Sequence, residues 1–197
     1  MVSTVHVSNG AITTNKHINR RYGKIDKVGE NVLLYQGDCL ELMQAIPNKS
    51  VDMVLCDLPY GTTACKWDIV IPFEPLWAQY KRVIKDNGAI VLFGSEPFSS
   101  ALRMSNIKQY KYDWVWRKQK GTGHLNAKIQ PMNDYENVSV FQEKSFYYPQ
   151  FSKGTPYKNK AGKNHDGKES MTECYGEYTN FRYDNNGKRY PKRVSYQ

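Results

Sequence analysis

The sequence predicts an α/β protein, a mostly parallel sheet with helices on both faces. Three observations carry this. Residues 51–57 are a short, largely apolar run that stops at an acid and then at the turn residues Pro59 and Gly61. That is the pattern of a buried parallel strand. Residues 89–93 form a second such run. Between the two, Leu76, Trp77, Tyr80, Val83 and Ile84 recur at helical spacing. Strand, helix and strand in succession make the repeating unit of a layered α/β sheet.

Taken in order, residues 1–30 read as a flexible basic arm bearing His17, Arg20, Arg21 and Lys24, without the apolar core of a secretory signal. Residues 32–37 read as a strand, and 40–46 as a short helix stopped by Pro47. After the strand at 51–57 comes a Thr-rich loop, residues 61–70, carrying Lys66, Trp67 and Asp68. It either closes over a bound base or is a surface loop with Trp67 packed down. A helix is expected over residues 73–86, ended by Asn87 and Gly88. Ser95 is placed to cap a helix with Pro97 in its first turn, running to about residue 107. Residues 112–116 and 137–141 complete the strands. The run Gly121, Thr122, Gly123, His124 lacks the third glycine of a nucleotide fingerprint and reads as a loop.

Composition narrows the function classes. A chain of 197 residues can bury one substantial core. Its net charge of +9 suits a polyanionic partner, because each neutralised phosphate releases counterions. From residue 144 onward eleven basic residues face five acids, with eight tyrosines interleaved. Such a segment suits phosphate contacts and base stacking, or it is a disordered tail. The four cysteines show no metal-ligand spacing, and no run approaches the roughly 20 apolar residues of a membrane span. The expected setting is cytoplasmic, with no membrane partner.

The chemistry centres on residues 57–60. Ligands of open α/β sheets bind at the C-terminal ends of the strands, so Asp57 is expected to project into a crevice, with Pro59 stiffening the turn. Such a turn suits reaction at an aromatic amine, whose lone pair is delocalised into its ring. The Asp57 carboxylate and the Leu58 carbonyl can each accept one amine hydrogen, localising the lone pair on nitrogen. Tyr60 offers a flat face for the base, where stacking is worth about 1–3 kcal/mol. The competing reading has Asp57 merely capping the segment that follows.

Asp57-Leu58-Pro59-Tyr60-Gly61 resembles the Asp-Pro-Pro-Tyr signature of DNA adenine amino-methyltransferases of the beta group. The likeness continues in family order through residues 34–43, 46–52, 87–94, 112–118, 125–128 and 135–141. Two positions depart from the pattern: Leu58 stands where the family has Pro, and Tyr135 where it has His. A carbonyl is the group used at position 58, and Leu supplies one. The resemblance implies an incomplete Rossmann-like methyltransferase sheet that lacks the C-terminal cofactor-binding strands. The expected divisions are the arm at 1–30, a partial catalytic domain at 31–143 and a target-recognition segment at 144–197.

It further implies S-adenosylmethionine as methyl donor, no metal, and transfer to the exocyclic amine of adenine in double-stranded DNA. The catalytic residues would be Asp57, Leu58, Pro59 and Tyr60. Asp38, Cys39 and Asp57 would meet the cofactor, although Asp38 reads equally as a helix cap. Lys66, Trp67, Lys118, Asn126 and Lys128 would meet the substrate. A complementary C-terminal fragment or self-association would supply the absent strands, and the family's setting is DNA methylation in restriction-modification. The alternative is a catalytically dead DNA-binding remnant of such an enzyme. An RNA methyltransferase is a third reading.

Overall fold

In the computed structural model the described residues are 25–28, 32–35, 37–144, 146–158, 170–172, 176–178 and 184–195. They fall into two compact units, Met1–Phe146 with Arg193–Gln197, and Tyr147–Lys192.

The first unit is built on a five-stranded sheet. Its strands are β3 (Val51–Asp57), β4 (Ile84–Gly94), β5 (Tyr110–Thr122), β6 (Asn133–Phe141) and β13 (Val194–Ser195), in the order β13-β5-β6-β4-β3. β3 pairs parallel with β4 and β13 parallel with β5, whereas β6 runs antiparallel to both of its neighbours. The α/β class therefore holds, but the sheet is mixed rather than mostly parallel. The reason lies in residues 123–132. They turn the chain straight from β5 into β6, and such a short connection can only join antiparallel strands.

Among the described residues three helices complete the layer: α1 (Cys39–Met43), α2 (Phe73–Val83) and α3 (Phe98–Ser105). Met43 of α1, Leu76, Trp77, Tyr80 and Val83 of α2, and Phe98 and Leu102 of α3 are buried in one cluster with Val54, Ile90, Leu92 and Phe141 of the sheet. Full burial of each such side chain contributes about 1.5–3 kcal/mol. Helices were expected on both faces; among the described residues they cover this one. The opposite face carries Met53 and Leu55, still 40% and 46% exposed, beside Val91 and Phe93.

Local chemistry fixes the joints. Arg82, on α2, donates to the carbonyls of Met43 and Ile46 and to Asn48 Oδ1. It thus satisfies acceptors that the end of α1 leaves open. Asn87 and Gly88, expected to stop the helix, lie inside β4. The helix ends at Val83, because the carbonyls of Arg82 and Val83 are taken by the N–H groups of Lys49 and Ser50. β4 then bulges between Ile84, opposite Val51, and Ala89, opposite Met53. A Cβ at Gly88 would stand 2.8 Å from the Asp52 carbonyl, so the bulge needs glycine. α3 likewise departs from the expected cap. Ser95 makes no side-chain cap bond, and Glu96 accepts from the N–H and hydroxyl of Ser100.

The end of the expected flexible arm, residues 1–30, is instead a strand: β1 (Ile25–Val28) pairs antiparallel with β2 (Val32–Tyr35), which lies beyond the arm. Residues 1–24 lie outside the described residues. Among the described residues the second unit holds three two-stranded ribbons. β7 (Ser152–Lys153) pairs with β12 (Lys188–Arg189), β8 (Tyr157–Lys158) with β11 (Asp184–Asn185), and β9 (Ser170–Thr172) with β10 (Gly176–Tyr178). Phe151 and Tyr190 meet edge to face at 4.7 Å, with the Lys188 ammonium 5.6 Å from the Phe151 ring centre. Tyr175, Tyr183 and Tyr196 of the tyrosine-rich segment lie outside the described residues.

Candidate active site

β3 ends at Asp57, beside Phe93 of β4. Because β3 and β4 are parallel and β5 and β6 form a hairpin pointing the same way, their loops converge on one end of the sheet. Residues 57–70, 95–97 and 123–132 all lie there, in line with the rule for strand ends.

The turn after β3 has a buried half and an exposed half. Leu58 and Pro59 are buried, Leu58 within the main cluster, which anchors the turn. Leu in place of a second Pro thus also serves as a core residue. Asp57 is exposed, and its Oδ1 accepts a 2.6 Å hydrogen bond from the Tyr60 hydroxyl. The Tyr60 ring stacks on Phe98 at 5.1 Å, and Phe98 in turn meets Phe73 at 5.9 Å. One ring face is thereby braced by the core. Burial, the bond to Asp57 and the nearby charges of Asp57 and Glu136 all push the Tyr60 phenol upward. It remains a neutral hydrogen-bond donor throughout the physiological range.

Glu136, within the stretch 135–141, comes close to Tyr60 only through the tertiary fold. Its carboxylate is nearly buried and pairs with Lys118, whose ammonium lies 5.9 Å from the Trp116 ring centre. Trp116 also meets Phe93 edge to face at 6.0 Å. The structure therefore brings Lys118 into the neighbourhood of Asp57 and Tyr60, but as the partner of an acid. Phe98 was not among the expected site residues, and Asp68 was expected only as part of the loop at 61–70. For Asp68 a signal existed: an acid five to seven residues after Gly-Thr-Thr can accept from successive backbone N–H groups. For Phe98 and Glu136 no sequence signal did, since tertiary packing alone joins them to Tyr60.

Asp38 caps α1, its Oδ1 accepting from the N–H of Leu40 at 2.8 Å and of Glu41 at 3.4 Å. Both bonds fall on one oxygen, so Oδ2 is available to a ligand hydroxyl. Cys39 is half-buried next to Cys56, and burial, then the charges of Asp38 and Cys56, push its thiol upward. The start of α1 and the end of β3 are thus neighbours. Lys66 and Trp67 ride on the loop leaving Tyr60, and Trp67 is 65% exposed. Asn126 and Lys128 are exposed on the short turn η1 (His124–Asn126) and the residues after it. They share the sheet end with Asp57. Among the described residues no three His, Cys, Asp or Glu side chains gather to hold a metal, and no helix is long and apolar enough to cross a membrane.

The chain is similar to DNA methyltransferases. A curated relative is the type II methyltransferase M.HinfI of Haemophilus influenzae, 27% identical over 128 residues. That match covers 48% of this chain and 35% of the enzyme, about a third of its length. Of the solved structures, the cytosine-N4-specific PvuII DNA methyltransferase has a TM-score of 0.44 at 14% identity, covering 59% of this chain and 50% of that one. The M1.HpyAVI–SAM complex has a TM-score of 0.45 at 20% identity, covering 62% and 60%. No family model matches the chain.

Proposed function

We propose that the chain carries the amine-activating half of a DNA adenine methyltransferase active site. The observation that supports this most directly is the Asp57–Tyr60 pair, a carboxylate at a strand end held by a phenol whose ring is braced from behind. The sequence similarity to M.HinfI supports the same class.

In this reading a displaced adenine lies on the open face of Tyr60. The Tyr60 hydroxyl fixes Asp57 Oδ1, which leaves Oδ2 to accept one amine hydrogen. The Leu58 carbonyl accepts the other, and the nitrogen lone pair is no longer spread into the ring. S-adenosylmethionine, when bound, supplies a methyl group on a cationic sulfur. Asp38 Oδ2 is the candidate acceptor for its hydroxyls, with Cys39 lining the same strand end. An acid at position 57 favours adenine, because cytosine amino-enzymes more often begin the motif with Ser.

The test is transfer of labelled methyl groups from S-adenosylmethionine to duplex DNA, with the methylated nucleoside identified by mass spectrometry. N6-methyladenine is expected, and Asp57→Ala abolishes the product. N4-methylcytosine would overturn the choice of base. Methyl transfer surviving in Asp57→Ala would overturn the assigned role. A chain that binds duplex DNA in a salt-dependent manner but takes up no cofactor would instead be a DNA-binding remnant.

A further inference from the structure

The loop of residues 61–70 is held from within. It leaves the site at Gly61, whose φ of +68° requires glycine, and a Cβ there would stand 2.9 Å from Val70 Cγ2. Its two ends are therefore packed together. At its centre sits the Asp68 carboxylate, 8% exposed. Oδ1 accepts from the Gly61 N–H at 2.9 Å. Oδ2 accepts from the N–H of Thr62 at 2.9 Å, the N–H of Thr63 at 2.7 Å and the Thr63 hydroxyl at 2.8 Å. The Asp68 N–H donates to the Cys65 carbonyl at 3.0 Å. With its acid turned inward, the loop displays Lys66, Trp67 and Ile69 outward, Ile69 being 71% exposed.

An indole left in water contributes little to folding, and a loop tied by a central carboxylate cannot easily tuck it away. The arrangement presents an aromatic side chain beside a cation, one loop away from Tyr60. We propose that residues 61–70 are a preformed wedge, in which Asp68 is the positioning residue and Trp67 fills the gap in the base stack left by the displaced nucleotide. The inference rests on the proposed function and names how that site meets duplex DNA. Apolar wedges inserted between base steps are a general device of proteins that deform the duplex, and a stacked aromatic recovers part of the lost base stacking. Lys66 adds a phosphate contact. Asp68 would repel phosphates if it faced outward, and its inward bonds remove that repulsion.

The experiment compares the affinity of the chain for an intact duplex with that for the same duplex carrying one abasic site, by fluorescence anisotropy. The wild type is expected to prefer the abasic duplex about tenfold. In Trp67→Ala the ratio falls to about one, and in Trp67→Phe most of it is kept. Asp68→Asn, checked for folding by circular dichroism, also loses the preference. A wild type that binds both duplexes equally, or a preference surviving in Trp67→Ala, overturns the wedge. A preference surviving in Asp68→Asn overturns the positioning role. If the preference is present but methyl transfer does not depend on Asp57, the wedge stands and the catalytic reading fails. Binding to neither duplex overturns both.

Discussion

The short bond between Tyr60 and Asp57 gives the tyrosine two separable tasks, stacking and orienting the carboxylate. Tyr60→Phe keeps the ring on Phe98 and removes the donor. Hydrogen bonds to charged groups contribute about 1.5–3 kcal/mol, so methyl transfer at saturating DNA should fall about 10- to 100-fold while DNA affinity changes little. Single-turnover rates and binding isotherms check this; an equal loss in both would mean the hydroxyl serves binding. Asp68 gives a pH prediction. The Gly61 N–H, then the Thr63 hydroxyl, hold its carboxyl from 3.8 down to about 2. A depressed folded-state value means the contribution is fully present above pH 3.8 and vanishes as the pH falls through about 2. The acid transition of Trp67 emission, taken as the difference from Trp67→Phe, should centre near 2. Thr63→Ala should move it upward.

Among the elements, α1 is the least self-sufficient. Five residues cannot sustain a helix by their own hydrogen bonds, so it depends on the Asp38 cap and on Arg82 at its other end. Arg82→Met leaves the Met43 and Ile46 carbonyls without that donor, at a cost of about 1–3 kcal/mol if water cannot replace it. The predicted outcome is faster hydrogen exchange in residues 39–46, with β4 and β6 unchanged. Uniform acceleration across the sheet would show that α1 and the sheet open together. By contrast, Leu92 is fully buried in the middle of the main cluster. Leu92→Ala should destabilise the whole first unit by about 2–5 kcal/mol in denaturant titration.

For the first unit as a whole, the decisive feature is asymmetry. Among the described residues helices cover one face, while Met53 and Leu55 on β3 remain exposed on the other. β3 is also the last strand of the sheet among the described residues. An exposed apolar strand at a sheet edge is a template for association. Leu55→Lys should therefore lower concentration-dependent light scattering without altering the melting of the core. Unchanged scattering would mean that this face is not where copies meet.

The sequence by itself determined the local units. The apolar run into Asp57 and its turn chemistry specify β3 to the residue, because a buried strand and its stop are both local signals. The 3.6-residue stripe of Leu76, Trp77, Tyr80 and Val83 specifies α2 for the same reason. The turn at 57–60 was legible as a turn too, since Pro59 and Gly61 are local stop signals; its catalytic role is part of the proposed function. Only tertiary structure decided where α2 yields to β4, that β6 inserts antiparallel, and that Phe98 and Glu136 reach Tyr60. Those outcomes depend on pairings between distant segments, such as Ser50 with Val83 and Phe93 with Val138. Hydrogen-bond partners and packed neighbours far apart in the chain leave no periodicity within any one stretch of it.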